Sequence, residues 1–194
     1  MGKLVDRSML EAACPPGKLI TLPQNALGIV TDPAARSILR DIGLPAIDWL
    51  DVTDELRAGQ VSLSDDDLVT ECAEFGFDAA RWLCLGTISS DVVYLDVADG
   101  TVVSIPDGGI PARLNKNLET FVYFLYLLET ERPNYDFEAL VPDGTYRPGA
   151  EDRLRKLMFA ADPMAFDPPD PDSEWEPGEP TWQLALRYVA EKLQ

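Results

Sequence analysis

Apolar and polar residues alternate along two short runs, residues 91–98 and 101–105, which flank an Asp99-Gly100 pair. Alternation with period two and many β-branched residues is typical of strands. An Asp-Gly pair favours a two-residue type I′ turn, because both central residues of that turn need a positive φ. The sequence therefore predicts a β-hairpin in which Val97 lies opposite Val102 and Asp96 lies opposite Val103.

The predicted hairpin has apolar side chains on both faces. Successive side chains of a strand point to opposite sides of the sheet. One face carries Val93, Leu95, Val97 and Val102, and the other carries Val92, Tyr94, Val103 and Ile105 with Asp96 among them. A half-solvated sheet would show a clean alternation of apolar and polar residues instead. We therefore expect this sheet to be covered, at least partly, on both sides.

A strongly apolar helix is predicted directly after the hairpin. Asn117 is a favoured N-cap residue, Glu119 lies in the first turn where the helix dipole favours an acid, and Pro133 closes the segment. Apolar residues recur at helical spacing and leave few positions for water. They are Leu118, Phe121, Val122, Phe124, Leu125 and Leu128. This pattern indicates a core helix that lies on the sheet.

The remaining pattern predicts shorter elements around this centre. Asp32 followed by Pro33 is a strong helix start, a strand is expected near residues 82–87, and residues 64–74 form a short helix with acids at its positive end. Amphipathic helices are predicted at residues 150–161 and 182–193. We expect one α+β domain over residues 1–161, with residues 162–194 as an acidic, Pro-rich connector and a C-terminal helix that packs on the same domain.

The charge balance of the chain is strongly acidic. Its 194 residues contain 34 acids and 16 Lys or Arg residues, a net charge of −18, and residues 41–100 alone hold 14 acids against two bases. Nucleic acids and anionic membranes are bound through cationic side chains, so neither is expected as a direct partner. Two interpretations stay open at this point: a solvated acidic surface, and a surface that binds a basic partner.

The residue types needed for common catalytic chemistry are scarce. The chain has no histidine, which excludes Ser-His-Asp and Cys-His catalysis and histidine-based zinc sites. No nucleotide-binding, hydrolase or metalloprotease motif is present. Asp65-Asp66-Asp67 lacks the spaced oxygen ligands of a calcium loop. We therefore expect no cofactor, no metal and no enzymatic activity.

The expected location is cytoplasmic. No run approaches the roughly 20 apolar residues of a membrane-spanning helix, and the N-terminus lacks the apolar core of a signal peptide. Cys14, Cys72 and Cys84 form neither a CxxC motif nor an even set. This usage is typical of free thiols in a reducing compartment, and Cys84, inside a predicted strand, is expected to be a buried structural thiol.

Four segments in a fixed order resemble a known family. They are TDPAARSILRDIGLP (residues 31–45), LCLGTI (residues 83–88) with the hairpin after it, NKNLETFVYFL (residues 115–125) and DPMAFDPPDPDSEW (residues 162–175). Together they resemble the SUKH superfamily of immunity proteins from bacterial polymorphic-toxin systems, in particular its fourth subgroup. The resemblance implies an α+β fold with a mainly antiparallel sheet packed by helices. It also implies a non-enzymatic role, the binding and neutralising of a cognate toxin, with nucleases and nucleic-acid deaminases prominent among such toxins.

The charge pattern adds a candidate binding surface to this resemblance. Toxins that act on nucleic acids tend to be basic, so an acidic inhibitor could occupy their clefts and associate rapidly. The predicted partner contacts are Asp65, Asp66, Asp67, Asp91, Asp96 and Asp99. Trp82 or Trp175 would serve as an aromatic anchor if exposed, although a core position is the stronger expectation for each. The markers Gly43, Pro45, Gly86 and Phe121 are expected to be structural.

Two other functions are compatible with the same sequence. A non-enzymatic regulatory or scaffold domain is the alternative, since SUKH-like folds also occur in partners unrelated to toxins. A hydrolase that uses two carboxylates is a more distant possibility, and it would need a pocket with two converging acids whose pKa values differ.

Overall fold

The computed structural model describes residues 3–106, 109–136, 139, 147–166 and 180–192. Within these residues the helices are α1 (Arg7–Ala13), α2 (Pro33–Ser37), α3 (Asp54–Arg57), α4 (Asp66–Glu74), α5 (Leu118–Glu131), α6 (Ala150–Ala161) and α7 (Thr181–Glu191). The strands are β1 (Leu19–Ile20), β2 (Leu44–Pro45), β3 (Asp51–Val52), β4 (Trp82–Ile88), β5 (Asp91–Asp96), β6 (Val102–Ile105) and β7 (Ala112–Asn115).

The sheets are antiparallel and follow the chain order. β3 to β7 form a five-stranded sheet in which each strand pairs with its sequence neighbours, while β1 and β2 form a separate two-stranded sheet. An α+β fold with a mainly antiparallel sheet packed by helices is therefore confirmed. β7 was not predicted, since its sequence, ARLN, has only one large apolar side chain to signal a strand.

The hairpin of β5 and β6 has the predicted faces, but its predicted register is wrong by two residues. Leu95, not Val97, pairs with Val102, and Tyr94, not Asp96, pairs with Val103. The predicted type I′ turn is also wrong, because only Gly100 of the Asp99-Gly100 pair has a positive φ. A shift of two residues keeps every side chain on its predicted face, because the side-chain period of a strand is two.

Both faces of the large sheet are covered, as predicted. Val93, Leu95, Val97 and Val102 belong to the main buried cluster, together with Phe121, Val122 and Leu125 of α5. On the other face, α4 and the turn after it cover a smaller cluster. Its buried members are Cys72, Ala79, Trp82 and Val103, with Tyr94 and Ile105 packed against them. The predicted capping of the core helix by Asn117 is confirmed, since Asn117 accepts a hydrogen bond from the backbone of Thr120.

The C-terminal helix packs into the main cluster. Trp182, Leu186 and Val189 of α7 are buried there. The indole Nε1 of Trp182 donates a hydrogen bond to Asn115 Oδ1 at 3.0 Å, which ties α7 to β7. Connector residues 167–179 lie outside the described residues, and the division of the chain at residue 161 stays a prediction. No helix in the described part of the chain combines the length and the hydrophobicity needed to cross a bilayer.

Candidate functional site

The six predicted contact residues divide into two groups. Asp65, Asp66, Asp67 and Asp99 are exposed, whereas Asp91 and Asp96 are each only 5% exposed. The two buried residues have partners inside the protein, so their carboxylates are not presented to the surroundings.

Asp91 docks the C-terminal helix. The Thr181 hydroxyl donates a hydrogen bond of 2.6 Å to its Oδ2, and this hydroxyl also lies 3.2 Å from Ser104 Oγ. A buried carboxylate is stable only when it is hydrogen-bonded or paired. The contact therefore gives Asp91 a structural role at the junction of α7 with the sheet.

Asp96 organises the loop between β5 and β6. Arg81 Nη2 donates to its Oδ2 at 2.8 Å, and the backbone N–H of Ala98 donates to its Oδ1 at 2.8 Å. Arg81 also pairs with Asp78 at 3.4 Å. Asp96 therefore holds the loop that carries Asp99, while Asp99 itself stays exposed and accepts a hydrogen bond from the Thr101 backbone.

Helix α4 presents acids to solvent along its length. Asp65 caps it by accepting from the backbone N–H of Leu68 at 2.9 Å, and Asp66 and Asp67 lie in the first turn, where the helix dipole stabilises negative charge. Glu71 and Glu74 continue the exposed stripe four and seven residues after Asp67. Leu68, Val69 and Cys72 face the sheet instead. The prediction of a short helix with acids at its positive end is confirmed.

The exposed acids continue along one edge of the sheet. β3 pairs with β4 at Val52↔Gly86, and Leu63 pairs with Leu83 of the same strand, so residues 51–63 follow the outer edge of β4. We call the exposed acids of α3 and of α4 with its N-cap the acidic face: Asp54, Glu55, Asp65, Asp66, Asp67, Glu71 and Glu74. Asp51 of β3 is also exposed on this edge, but it pairs with Arg57 at 3.2 Å and is not part of the set. Among the described residues none of these seven acids forms an ion pair. The acidic face therefore carries uncompensated negative charge.

A separate cleft of about 450 Å³ lies beside the start of β3. Trp49, Tyr135 and Tyr188 line it, together with Ile88 at the end of β4 and Leu184 of α7; we call it the aromatic cleft. Trp49 Nε1 donates to the Tyr135 hydroxyl at 2.8 Å, and that hydroxyl donates to the Leu128 carbonyl at 3.0 Å. Trp49 meets Tyr188 edge to face, with ring centroids 5.4 Å apart. These contacts fix the orientation of the rings.

The charged groups of the aromatic cleft are paired with one another. Arg132 pairs with Asp48 at 2.6 Å and with Asp136 at 3.0 Å. Lys192 lies 3.4 Å from Asp136 and over the ring of Tyr188, and Arg187 is 4.0 Å from Glu191. The cleft therefore combines the ring surfaces of Trp49 and Tyr188 with charged groups that are already paired, in contrast to the uncompensated acidic face.

A buried carboxylate lies behind the cleft. Glu129 is 8% exposed, and its Oε1 is 3.7 Å from Arg132. Its Oε2 has no hydrogen-bond partner within the described residues. Burial raises the pKa of this carboxyl, with added repulsion from Asp48 and Asp136, while Arg132 opposes the rise. Folding therefore favours the protonated form of Glu129 over the ionised form.

We expect Glu129→Gln to change how stability depends on pH. A carboxyl whose pKa is raised by folding stabilises the fold while it is protonated, and this contribution is lost as pH rises from the ordinary Glu range through the raised pKa. Urea unfolding between pH 4 and pH 8 should show the variant gaining on the wild type as pH rises, by the order of 1 kcal/mol. A difference that is constant across this range would contradict the prediction.

The cysteine thiols have the properties of structural residues. Cys14, Cys72 and Cys84 are free. Burial raises the pKa of all three thiols, that of Cys14 to about 11. The thiolate, not the thiol, is the nucleophile. Cys84 is half-buried rather than fully buried, and its neighbours on that face of the sheet are aromatic.

Neither a metal cluster nor an exposed tryptophan anchor is found within the described residues. No group of three or more Cys, Asp or Glu residues in that part of the chain is arranged to hold a metal ion. Trp82 is 2% exposed and packs between Phe77 and Tyr94 in the smaller cluster, so it is a core residue. Trp175 lies outside the described residues.

The sequence did not indicate the aromatic cleft. Its rings come from the loop before β3, the segment after α5 and the last helix, which are far apart in the chain. The one local signal is an aromatic residue, Trp49, beside an acid in a loop. The acidic face, in contrast, follows from a dense run of acids in one segment.

One comparison with known proteins returned a match. A family model described as SUKH-4 immunity protein matches residues 5–177. No curated protein and no solved structure matches the chain. The matched region contains β1 to β7 and α1 to α6, and therefore the whole acidic face. It begins before residue 31, where the first of the four family-like segments of the sequence starts.

Proposed function

The chain belongs to the SUKH-4 immunity protein family, and from this premise we propose that it neutralises its cognate toxin by binding it through the acidic face. Immunity of this kind needs no catalysis by the inhibitor. In the proposed complex the inhibitor covers the surface with which the toxin binds its substrate.

The proposed toxin is a nuclease or a nucleic-acid deaminase. Such enzymes hold a phosphate backbone with Lys and Arg side chains, so their substrate clefts are cationic. A surface of uncompensated acids is complementary to a cleft of that kind and attracts it over a distance. The binding would take place in the cytoplasm of the producing cell, which agrees with the three free thiols.

The observation that carries this proposal is the absence of ion pairs from the acidic face, as far as the structure describes the chain. Other acids near the surface, such as Asp41, Glu151 and the neighbouring Asp51 of β3, have an arginine partner. Acids that only keep a surface solvated could be spread over the whole protein, whereas these seven are concentrated on α3 and α4. Asp99 lies at the same end of the sheet as the start of α4. Trp82 pairs with Asp96, and the carbonyl of Trp82 accepts a hydrogen bond from the backbone N–H of Ser64. The hairpin tip can therefore extend the proposed contact.

The first test measures binding to the protein encoded by the neighbouring gene. The purified C-terminal toxic domain of that protein, made inactive by substitution, is titrated with this chain at low and at high salt. We expect tight binding whose association rate falls steeply as salt rises, because screening shortens the reach of surface charges. Tight binding that is insensitive to salt would refute the acidic face as the main contact. Absence of binding would favour the scaffold function instead.

The second test reverses charge on the acidic face. Glu71→Lys combined with Glu74→Lys places cations near the C-terminal end of α4, where the helix dipole tolerates them, so the fold is expected to survive. At low salt the association rate should fall about 10- to 100-fold, with a weaker dependence on salt.

A matched double variant controls for net charge. Glu11→Lys with Asp152→Lys changes the net charge of the chain equally, at two exposed acids on α1 and α6. It should lower the association rate much less, because those acids lie outside the proposed contact. Equal losses for the two double variants would show that net charge, and not the acidic face, controls association.

A further inference from the structure

The aromatic cleft has the features of an anchor site for a partner. Tyr188 in its wall is a large aromatic residue that is 46% exposed, on a helix whose inner face packs into the core. Large aromatic side chains in partly enclosed pockets supply much of the binding energy of protein interfaces. A cleft of about 450 Å³ is large enough for one or two side chains.

The chemistry of the occupant follows from the charges around the cleft. Arg132 is held by Asp48 and Asp136, and Lys192 also contacts Asp136. A charged ligand group would have to compete with these pairs, and breaking partly buried pairs is costly. An uncharged group that packs on the rings of Trp49 and Tyr188 would not have to break any of these pairs. The cleft therefore favours an apolar or aromatic side chain.

The place of the cleft in the fold connects it with the acidic face. Trp49 precedes Asp51 of β3 by two residues, and Ile88 of the cleft follows Thr87, to which Asp51 is paired. The acidic face begins three residues after Asp51, at Asp54. The α4 end of the acidic face lies beside Trp82 at the start of β4, so a protein that also reaches the mouth of the cleft has to extend along β4 past Asp54 and β3.

We infer that the aromatic cleft receives an apolar or aromatic side chain from a protruding loop of the cognate toxin. This inference rests on the proposed function and adds a second contact of different chemistry. The acidic face accelerates the encounter, while the cleft holds the complex once formed. Charge steering acts mainly on association rates, and buried anchors act mainly on dissociation rates.

The test uses Tyr188→Ala with the same inactive toxic domain from the neighbouring gene. We expect affinity to fall about 10- to 100-fold, through faster dissociation and by the same factor at low and high salt. Tyr188→Phe keeps the ring and should bind within about threefold of the wild type. Phe159→Ala removes an exposed aromatic residue of α6 that does not line the cleft, and it should also bind like the wild type.

Several results would overturn the inference. They are unchanged dissociation of Tyr188→Ala, an equal loss in Tyr188→Phe, and a loss that disappears at high salt. Because Tyr188 packs on Trp49, the folding of each variant is checked by its melting temperature. If Tyr188→Ala does not fold, acrylamide quenching of Trp49 decides. The fluorescence of Trp49 is taken as the difference between the wild type and Trp49→Phe. This fluorescence must become protected from acrylamide when the complex forms. Continued full quenching would refute occupancy of the cleft.

Failure of this inference is separable from failure of the proposed function. Salt-dependent binding that Glu71→Lys/Glu74→Lys weakens and Tyr188→Ala does not would leave the acidic face as the contact and refute the anchor. Loss in Tyr188→Ala without loss in the charge variant would support the anchor and refute the acidic face. No binding by the wild type would refute both.

Discussion

Gly86→Ala is expected to destabilise the protein by about 4 kcal/mol or more, a magnitude that is exceptional for one substitution. A Cβ atom at residue 86 would lie 2.1 Å from the backbone oxygen of Asp51 and 2.9 Å from Val52 Cα. These are main-chain atoms of β3, which cannot move aside without breaking its pairing with β4. Gly86 also has φ +146, a conformation that side chains of L-residues rarely adopt.

The measurement is the free energy of unfolding in urea, compared with Gly28→Ala as a matched control. A Cβ at residue 28 would meet no atom within 4 Å, so that substitution should change stability by about 0.5 kcal/mol at most. The loss in Gly86→Ala should be accompanied by faster hydrogen exchange in β3, because β3 is the element that must move. A loss below about 1 kcal/mol would contradict the close approach of the two strands.

Gly86 illustrates what the sequence could and could not show. The run LCLGTI predicted a strand, and the resemblance marked its glycine as structural. The physical cause is an irregularity in the β4–β5 register between Cys84 and Gly86, where β3 approaches closely from the other side. β3 has two residues and no alternating pattern, so its position beside Gly86 could not be read from local sequence.

The hairpin shows why faces are easier to predict than register. Alternation places each side chain on one side of the sheet, and that pattern was right. The turn was wrong because Val97 is bonded outside the hairpin. Its carbonyl accepts from the backbones of Thr31 and Asp32, and its N–H donates to the Arg81 carbonyl. These long-range bonds take Val97 out of the strand pair, and a turn rule based on two residues cannot include them.

The predicted contacts differ in the same way. The exposure of Asp65, Asp66 and Asp67 follows from a short helix with an acidic start, which is local information. Asp91 is buried at the junction with α7, where Thr181, 90 residues later, supplies the hydrogen bond that makes burial tolerable. The sequence around an acid on a strand does not show whether the acid is exposed or is a buried hydrogen-bond acceptor. The prediction from composition therefore grouped exposed and buried acids together as partner contacts.

Asp162→Ala is expected to destabilise the protein by about 3–5 kcal/mol, because three donors would lose their acceptor at a buried site and each orphaned donor costs about 1–3 kcal/mol. Asp162 is 0% exposed. Its Oδ2 accepts from the Lys116 backbone at 2.7 Å, from Asn115 Nδ2 at 3.3 Å and from Thr120 Oγ1 at 3.2 Å. The carboxylate therefore joins the end of α6 to β7 and to the start of α5. Alanine would leave these donors buried without an acceptor.

The dipole of α5 adds to this effect, because Asp162 lies at its N-terminal end, where negative charge is favoured. Asp162→Asn keeps an acceptor but loses the charge, so its cost should be smaller, about 1–2 kcal/mol. Asp152→Ala on the exposed side of α6 is the control and should change stability by about 0.5 kcal/mol. Urea unfolding of the three variants should give this order. Equal losses for Asp162→Ala and Asp162→Asn would show that the charge, and not the acceptor geometry, holds α6, β7 and α5 together at this point.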